Sequence, residues 1–432
     1  MSTPISPSDD DLKSKLVALK TENPTLGIPK LHALLLAQNT TWTVSEKRVK
    51  KTLQAAGLVV QPPAAKNSAA KDIHPSSELV QNLDVTKWSS KIEVKYFGKN
   101  KGKGLVAKEP IAEGEVIWKE DPFIVAPEWD IYDMQQSSRA CAFCTTPLSE
   151  SALVVRCPAS TSAAFCPARF CSRLCLSRSA RIHPLLCPAQ NPASVPLLTF
   201  ARRAEWMALH AVAHCAARLL LAEPAQQAED WAVFRALAVL GMEERAKSTW
   251  FAGEPDRATW KRAHQLLVQA FQTPATPEQQ KKLARVLKRA APPDIAAAFF
   301  TYDGFLRSLG RMSLNLEAHG GLYTLHSHLN HACTPTVSVR HLDPRTALAR
   351  ITLLAKRDLA PGDELLVTYV DPSLGLRARR EGLGAWGFGV CRCERCVEEE
   401  KAGAAEGEGK EAAPAEGMED LERELKAGLG VM

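Results

Sequence analysis

Cysteine placement constrains this chain more than any other feature of its 432 residues. Of twelve cysteines, eleven fall into two spaced clusters plus one outlier, Cys333. The N-terminus opens with polar residues and Asp9, Asp10 and Asp11, unlike a secretory signal. In a reducing compartment, spaced cysteines read as metal ligands rather than disulfides. The first cluster runs Cys141-x2-Cys144, Cys157, Cys166, Cys171-x3-Cys175 and His183-x3-Cys187. Seven cysteines and one histidine are enough for two tetrahedral zinc ions. The x2 and x3 spacings let both side chains of a pair reach one ion from a tight turn or a single helical turn. The segment carries Pro158, Pro167 and Pro184 and little apolar content, so its folding is expected to need metal. The second cluster, Cys391-x-Cys393-x2-Cys396, leaves zinc one ligand short. Cys333 can supply the fourth, a choice that chemistry makes plausible without making unique. Cys215 stands alone in an apolar helical pattern and reads as a small core residue.

Size and composition set looser bounds. A chain this long usually makes two or three domains. Its 45% hydrophobic and 24% charged residues are ordinary for a soluble globular protein. A net charge of +6 permits an acidic partner without demanding one. No apolar run approaches the roughly 20 residues of a membrane span; the most apolar stretch, 195–221, is broken by Arg202, Arg203, Glu205 and Arg218. The expectation is an intracellular monomer, in the nucleus and/or cytoplasm, with no membrane partner.

Residues 1–60 read as short helices. Leu12, Leu16 and Leu19 share one face, Leu31, Leu34 and Leu35 another, and Thr43 or Ser45 can cap a third helix that Gly57 stops. The segment, with its run Leu26-Gly27-Ile28-Pro29-Lys30-Leu31, resembles the helix-turn-helix of some transposases. A small interaction domain is the first reading, and weak nucleic-acid contact through Lys47, Lys50 and Lys51 the second. Residues 61–89, rich in Ala, Pro, Ser and Lys, read as a linker. Strands are expected at 91–97, 104–108 and 116–119, and again at 337–342, 348–354 and 364–370. Between them, 196–312 is almost wholly helical in pattern. From 397 onward eleven acids face four bases with no core pattern. That stretch reads as a disordered acidic tail, with a frayed helix at 421–425.

Four motifs in order resemble the SET-domain lysine methyltransferases. They are Lys101-Gly102-Lys103-Gly104-Leu105; Asn330-His331-Ala332-Cys333-Thr334-Pro335; Glu364-Leu365-Leu366-Val367-Thr368-Tyr369; and Gly387-Phe388 with the cysteine triplet. Phe170-Cys171-Ser172 and the closing His183 to Cys187 resemble the MYND zinc module. Together they are similar to the SET-and-MYND methyltransferases over residues 91–396, and the run from Gly320 to His331 suggests the fungal branch. The resemblance implies an α+β fold. A SET core (90–140 and 320–385) would be split by a MYND-like zinc module (141–187) and a helical insertion (188–319). A zinc segment (386–396) and an acidic tail (397–432) would follow.

The resemblance also implies roles. Cofactor contacts with S-adenosylmethionine fall on Lys101, Lys103, Asn315, Ser327, Asn330, His331, Tyr369 and Phe388, and the catalytic tyrosine is Tyr369. Cys141, Cys144, Cys171 and Cys175 would hold one zinc; Cys157, Cys166, His183 and Cys187 a second; Cys333, Cys391, Cys393 and Cys396 a third. The implied activity is methyl transfer to a protein lysine, with histone tails, histone H4 among them, as first candidates. The physics agrees. An in-line displacement needs three atoms aligned, and a hydroxyl can orient a methyl group by weak C–H···O contacts. Tyr323, Tyr369 and Trp386 are expected as aromatic walls for the lysine tip. Three departures stand out: eight residues between Cys157 and Cys166, Thr336 in place of asparagine, and two residues rather than one between Phe388 and Cys391. They leave a competing reading, a chromatin or peptide adaptor with a weakened SET core. His210 and His214, four apart, read as core-facing histidines, and His326 and His328 as structural.

Overall fold

The computed structural model describes residues 6–23, 28–55, 74–99, 101–148, 153–247, 254–342 and 349–405. The chain divides into two compact units, Met1–Lys71 and Asp72–Met432. No helix among the described residues is long and apolar enough to cross a membrane.

Among its described residues, the first unit has three helices, Asp9–Glu22, Ile28–Gln38 and Glu46–Ala55. Ser8 caps the first by accepting from Asp11 N at 3.2 Å. Ser45, rather than Thr43, caps the third, accepting from Arg48 N at 3.3 Å. The core is the leucine set that the spacing picks out, Leu12, Leu16, Leu19, Leu31 and Leu35, joined by Val44, Val49 and Leu53.

In the second unit, strands from the two ends of the core pair with one another. The early strands are β1 (Ile92–Tyr96), β2 (Lys103–Ala107), β3 (Val116–Glu120) and β4 (Ile124–Val125). Two short strands, β5 (Val155–Arg156) and β6 (Arg169–Phe170), pair inside the first cysteine cluster. The late strands are β7 (Gly321–Leu322), β8 (Asn330–His331), β9 (Val337–Arg340), β10 (Ile351–Ala355) and β11 (Glu364–Val367). One sheet has the order β1-β2-β11-β8, another β3-β10-β9, and β4 pairs with β7. The chain therefore leaves the core after β4 and returns at β7. β8 lies parallel to β11, with Asn330 opposite Leu366 and His331 opposite Val367. The apolar sides of these strands bury Leu105, Ile117, Trp118, Ile351, Leu353 and Leu365, with Leu325 added from the segment between β7 and β8. At about 1.5–3 kcal/mol for each large apolar side chain, this burial holds the sheets together.

The excursion is mostly helical. Helix Met207–Leu221 is its axis, burying ten residues that include Leu209, Val212, Cys215 and Leu219. Five of the ten are alanines, which lets Tyr302–Asn315 pack close against it.

Three expectations need correction. Residues 74–89 are no free linker: Leu83, Val85 and Trp88 pack on the core sheets, and Ser76 bridges to Val239. The last strand stops at Val367, so Thr368 to Val370 lie beyond it. The chain after residue 396 continues as helix Glu394–Ala405, where Glu399 and Glu400 pair with Arg379 and Arg380 at 2.6 and 2.9 Å. Glu399 and Glu400, expected in a disordered acidic tail, instead answer basic residues on helix Leu376–Ala385. Residues 421–425 and most of the linker lie outside the described residues, as does the Lys50 side chain.

Candidate active site and metal centres

A cavity of about 2290 Å³ opens between the core sheets, the helical excursion and the segment after helix Leu376–Ala385. Lys101, Lys103, Asn315, Ser327, Asn330, His331, Tyr369 and Phe388 all line it. Their sequence separation is bridged by pairing: β2 brings the Lys103 strand to β11, and β11 brings β8 alongside. Asn330 seals this junction, its Nδ2 donating to Lys103 O and to Glu364 Oε1, both at 2.9 Å. Only glycine fits at 104, because a Cβ there would come within 2.8 Å of Asn330 Nδ2. Lys101 pairs with Glu364 and stands 4.7 Å over the Phe97 ring.

Lys103 is the unusual residue. Its ammonium is buried, donating to Ala236 O at 2.8 Å and Ser327 Oγ at 3.4 Å. Burial, with the nearby Arg311 guanidinium, pulls its pKa down to about 7. Burial holds Arg311 down as well, to about 10. Neither cation has a carboxylate in ion-pair contact among the described residues. A ligand bearing a carboxylate fits this charge. Asn315 also lines the cavity, but its amide is spent on the backbone: Nδ2 donates to Ala238 O at 2.8 Å, and Oδ1 accepts from Ala238 N at 3.2 Å.

Tyr369 is held from three sides. Its hydroxyl donates to Leu329 O at 2.6 Å, and its N–H donates to His331 Nδ1 at 3.0 Å. Its ring lies 5.0 Å from that of Phe388. Although 37% of the residue is exposed, desolvation of the hydroxyl raises its pKa above the usual tyrosine value, so it stays protonated. Burial, then the Arg379 charge, lowers His331 to about 4, so its ring is neutral near pH 7. Since Nδ1 accepts, Nε2 carries the proton, and it faces Cys333 Sγ at 3.4 Å. A tyrosine, a histidine and a thiol are thereby chained.

Among the described residues, the twelve expected metal-binding residues form three tetrads, and in each the potential ligand atoms lie within 4.8 Å of one another. Around one zinc at 2.3 Å, sulfurs stand about 3.8 Å apart. The observed separations fit: 3.6 Å for Cys144–Cys171, 3.8 Å for Cys157–Cys187 and 3.4 Å for Cys333–Cys396. The tetrads are compatible with zinc modules. The long stretch between Cys157 and Cys166 folds back on itself, with Cys166 N donating to Ser160 Oγ at 2.9 Å, which returns Cys166 to its partners. The two other departures are also absorbed. Thr336 Oγ1 donates to Glu364 O at 3.1 Å and accepts from Leu366 N at 2.8 Å. Gly387 and Gly389, both at positive φ, flank Phe388; Val390 turns outward, 49% exposed, and Cys391 still joins its tetrad.

One expectation fails on burial. Tyr323 is 1% exposed, bonded to Ala349 O and His319 Nε2, and is a core tyrosine rather than a cavity wall. Trp386 does line the cavity. His210 and His214 face each other in the core, their Nε2 atoms 3.1 Å apart. The residue that motif reading missed is Arg379. Fully buried, it donates to Cys396 Sγ at 3.7 Å and Glu399 Oε2 at 2.6 Å. With a metal in the tetrad, this cation would support its thiolates from the second coordination sphere.

A SET-domain family model matches residues 102–370, more than half of the chain. The chain belongs to the SET-domain family. Its relatives agree. The histone-lysine N-methyltransferase SET5 of Mycosarcoma maydis is 31% identical over 338 residues, covering 70% of this chain and 66% of that protein. The SET5 protein of Scheffersomyces stipitis is 30% identical over 422 residues, covering 92% and 82%. That of Yarrowia lipolytica is 29% identical over 391 residues, covering 87% and 78%. This SET-domain protein is a methyltransferase, and the cavity that gathers its four motifs is the candidate active site.

Proposed function

We propose that this protein transfers a methyl group from S-adenosylmethionine to a lysine side chain of a histone, with histone H4 a candidate, and that it acts in the nucleus. One observation carries the reading: six residues drawn from four separated motifs, with Asn315 and Ser327, line a single cavity, with Tyr369 at its centre of contacts. S-adenosylmethionine supplies an electrophilic methyl group on a sulfonium. Lys103 offers a buried positive charge to its carboxylate, and Phe388 an apolar face beside Tyr369. Asn330 and His331 hold the crossing of chains beneath. Because the Tyr369 proton is committed to Leu329 O, the hydroxyl oxygen keeps its lone pairs for C–H donors. Tyr369 orients the methyl group and is no general base. The target amine must be neutral, against a pKa of about 10.4 for free lysine. The sulfonium cation of S-adenosylmethionine and the desolvating aromatic pair Tyr369–Phe388 favour that form. We assign the first cysteine cluster as a MYND-like module with two zinc ions, and Cys333, Cys391, Cys393 and Cys396 as a third zinc site. The N-terminal helices are read as an interaction module.

The test is transfer of labelled methyl from S-adenosylmethionine to core histones by wild-type protein and Tyr369→Phe. Losing two or more C–H···O contacts of about 0.5–1 kcal/mol each lowers the rate roughly tenfold or more. Equal labelling by both proteins overturns the role of Tyr369. No labelling, with no heat on adding S-adenosylmethionine to zinc-loaded protein, leaves the adaptor reading.

A further inference from the structure

The match to the SET domain begins at residue 102, yet the cavity has a wall built upstream of it. His74, Pro75 and Ser77 line the cavity. Over residues 74–78 exposure alternates, with Pro75 and Ser77 the half-covered positions, as in a strand with one face inward. The strand is pinned by a reciprocal pair: Ser76 N donates to Val239 O at 3.0 Å, and Val239 N donates to Ser76 O at 2.8 Å. Val239 ends the stretch whose carbonyls, Ala236 O and Ala238 O, hold Lys103 and Asn315. An exposed ion pair, Glu78–Arg235 at 2.9 Å, adds little.

Both ends of the segment meet glycines. A Cβ at Gly102 would fall 2.5 Å from Ser77 Oγ, which accepts from Lys103 N at 3.5 Å. A Cβ at Gly389 would fall 3.0 Å from His74 Cε1, and one at Gly387 within 3.9 Å of Pro75 Cδ. Five residues therefore touch the loop before β2, the helical excursion and the turn that carries Phe388. These are three walls of one cavity, and a tether between units would need none of these contacts.

We propose that residues 74–78 belong to the cofactor site: the Ser77 hydroxyl hydrogen-bonds S-adenosylmethionine beside Lys103, and the Ser76–Val239 bridge holds it there. This rests on S-adenosylmethionine being the donor. The test is calorimetry of S-adenosylmethionine binding to the full zinc-loaded chain. Ser76→Pro removes the donor of the bridge, whereas Ser76→Ala keeps both backbone groups. Ser76→Pro is expected to weaken binding tenfold or more beyond any loss in Ser76→Ala. Ser77→Ala is expected to weaken it about 3–10-fold, the worth of one net hydrogen bond. In turnover, the KM for the cofactor should rise while that for a histone peptide does not. Wild-type affinity in both Ser76→Pro and Ser77→Ala overturns the inference. If Ser76→Pro does not fold, Ser77→Ala decides alone, and wild-type affinity there overturns it. Absence of heat with the wild-type chain overturns the donor assignment, and this inference with it.

Discussion

The ligands of the first two tetrads all come from the short stretch between Cys141 and Cys187, and none of them lines the cavity. Those of the third are spread over 63 positions, and two of them, Cys391 and Cys393, do line it. The first region resembles a free-standing fold: its cysteines, with Phe170, Ala168 and Ala189, are its own small core. The third tetrad has no such core. It joins β8 to helix Glu394–Ala405 and, through His331, reaches the backbone of Tyr369. On the proposed reading, the same ligand chemistry serves local folding in one place and alignment of Tyr369 in the other. Position relative to the cavity, not ligand type, makes the difference.

Arg379→Ala strikes the third tetrad alone. Removing a buried guanidinium that bonds Cys396 and the half-exposed Glu399 should cost about 2–3 kcal/mol, discounted for that exposure. Thermal unfolding should drop, and a chelator should take one zinc of three faster than in the wild type. Uniform release of all three would erase the contrast between the regions. His331 can be split. His331→Gln keeps a donor near Cys333 but loses the acceptor for Tyr369 N; His331→Asn does the reverse. The first should slow methyl transfer by about tenfold, the worth of roughly 1.4 kcal/mol, with zinc release little changed. The second should release zinc faster and slow transfer less. Equal effects in both variants would break the chain from thiol to tyrosine.

A third probe is pH. Lys103 has a folded pKa of about 7, below its unfolded value, so the fold disfavours its charged form. Stability of the cofactor-free protein should therefore rise between pH 7 and about 10, by at most about 1.4 kcal/mol per unit, and Lys103→Met should flatten the rise. A fall in urea stability over that range, read at constant zinc, would contradict the assignment. The smallest effect belongs to Phe165, 70% exposed on the first cysteine region. Phe165→Ser should change stability by less than about 0.5 kcal/mol and leave transfer to a histone peptide unaltered.

Much of this was legible in sequence because it is local. Cysteine spacing marks the residues that gather into tetrads, leucine spacing marks the N-terminal helices, and contiguous motifs mark Asn330, His331 and Tyr369 as residues that meet in one cavity. What escaped depends on partners distant in the chain. Ser76 looks like linker until Val239 is beside it. Glu399 looks like tail until Arg379 is beneath it. Tyr323 has the composition of a cavity wall but is enclosed by Ala349 and His319. Tyr369 ends an alternating apolar run, yet the strand stops two residues earlier, because its N–H goes to His331 rather than to a neighbouring strand.

The contrast between the two regions is tested most directly by comparing methyl transfer in Cys393→Ser and Cys175→Ser at a temperature where both proteins are folded. The result expected is at least about a tenfold loss for Cys393→Ser with two zinc ions retained, from the cost of an incomplete ligand set. Cys175→Ser should keep most of its activity while its unfolding temperature falls. Full activity in Cys393→Ser, or an equal loss in Cys175→Ser with its fold intact, would contradict it.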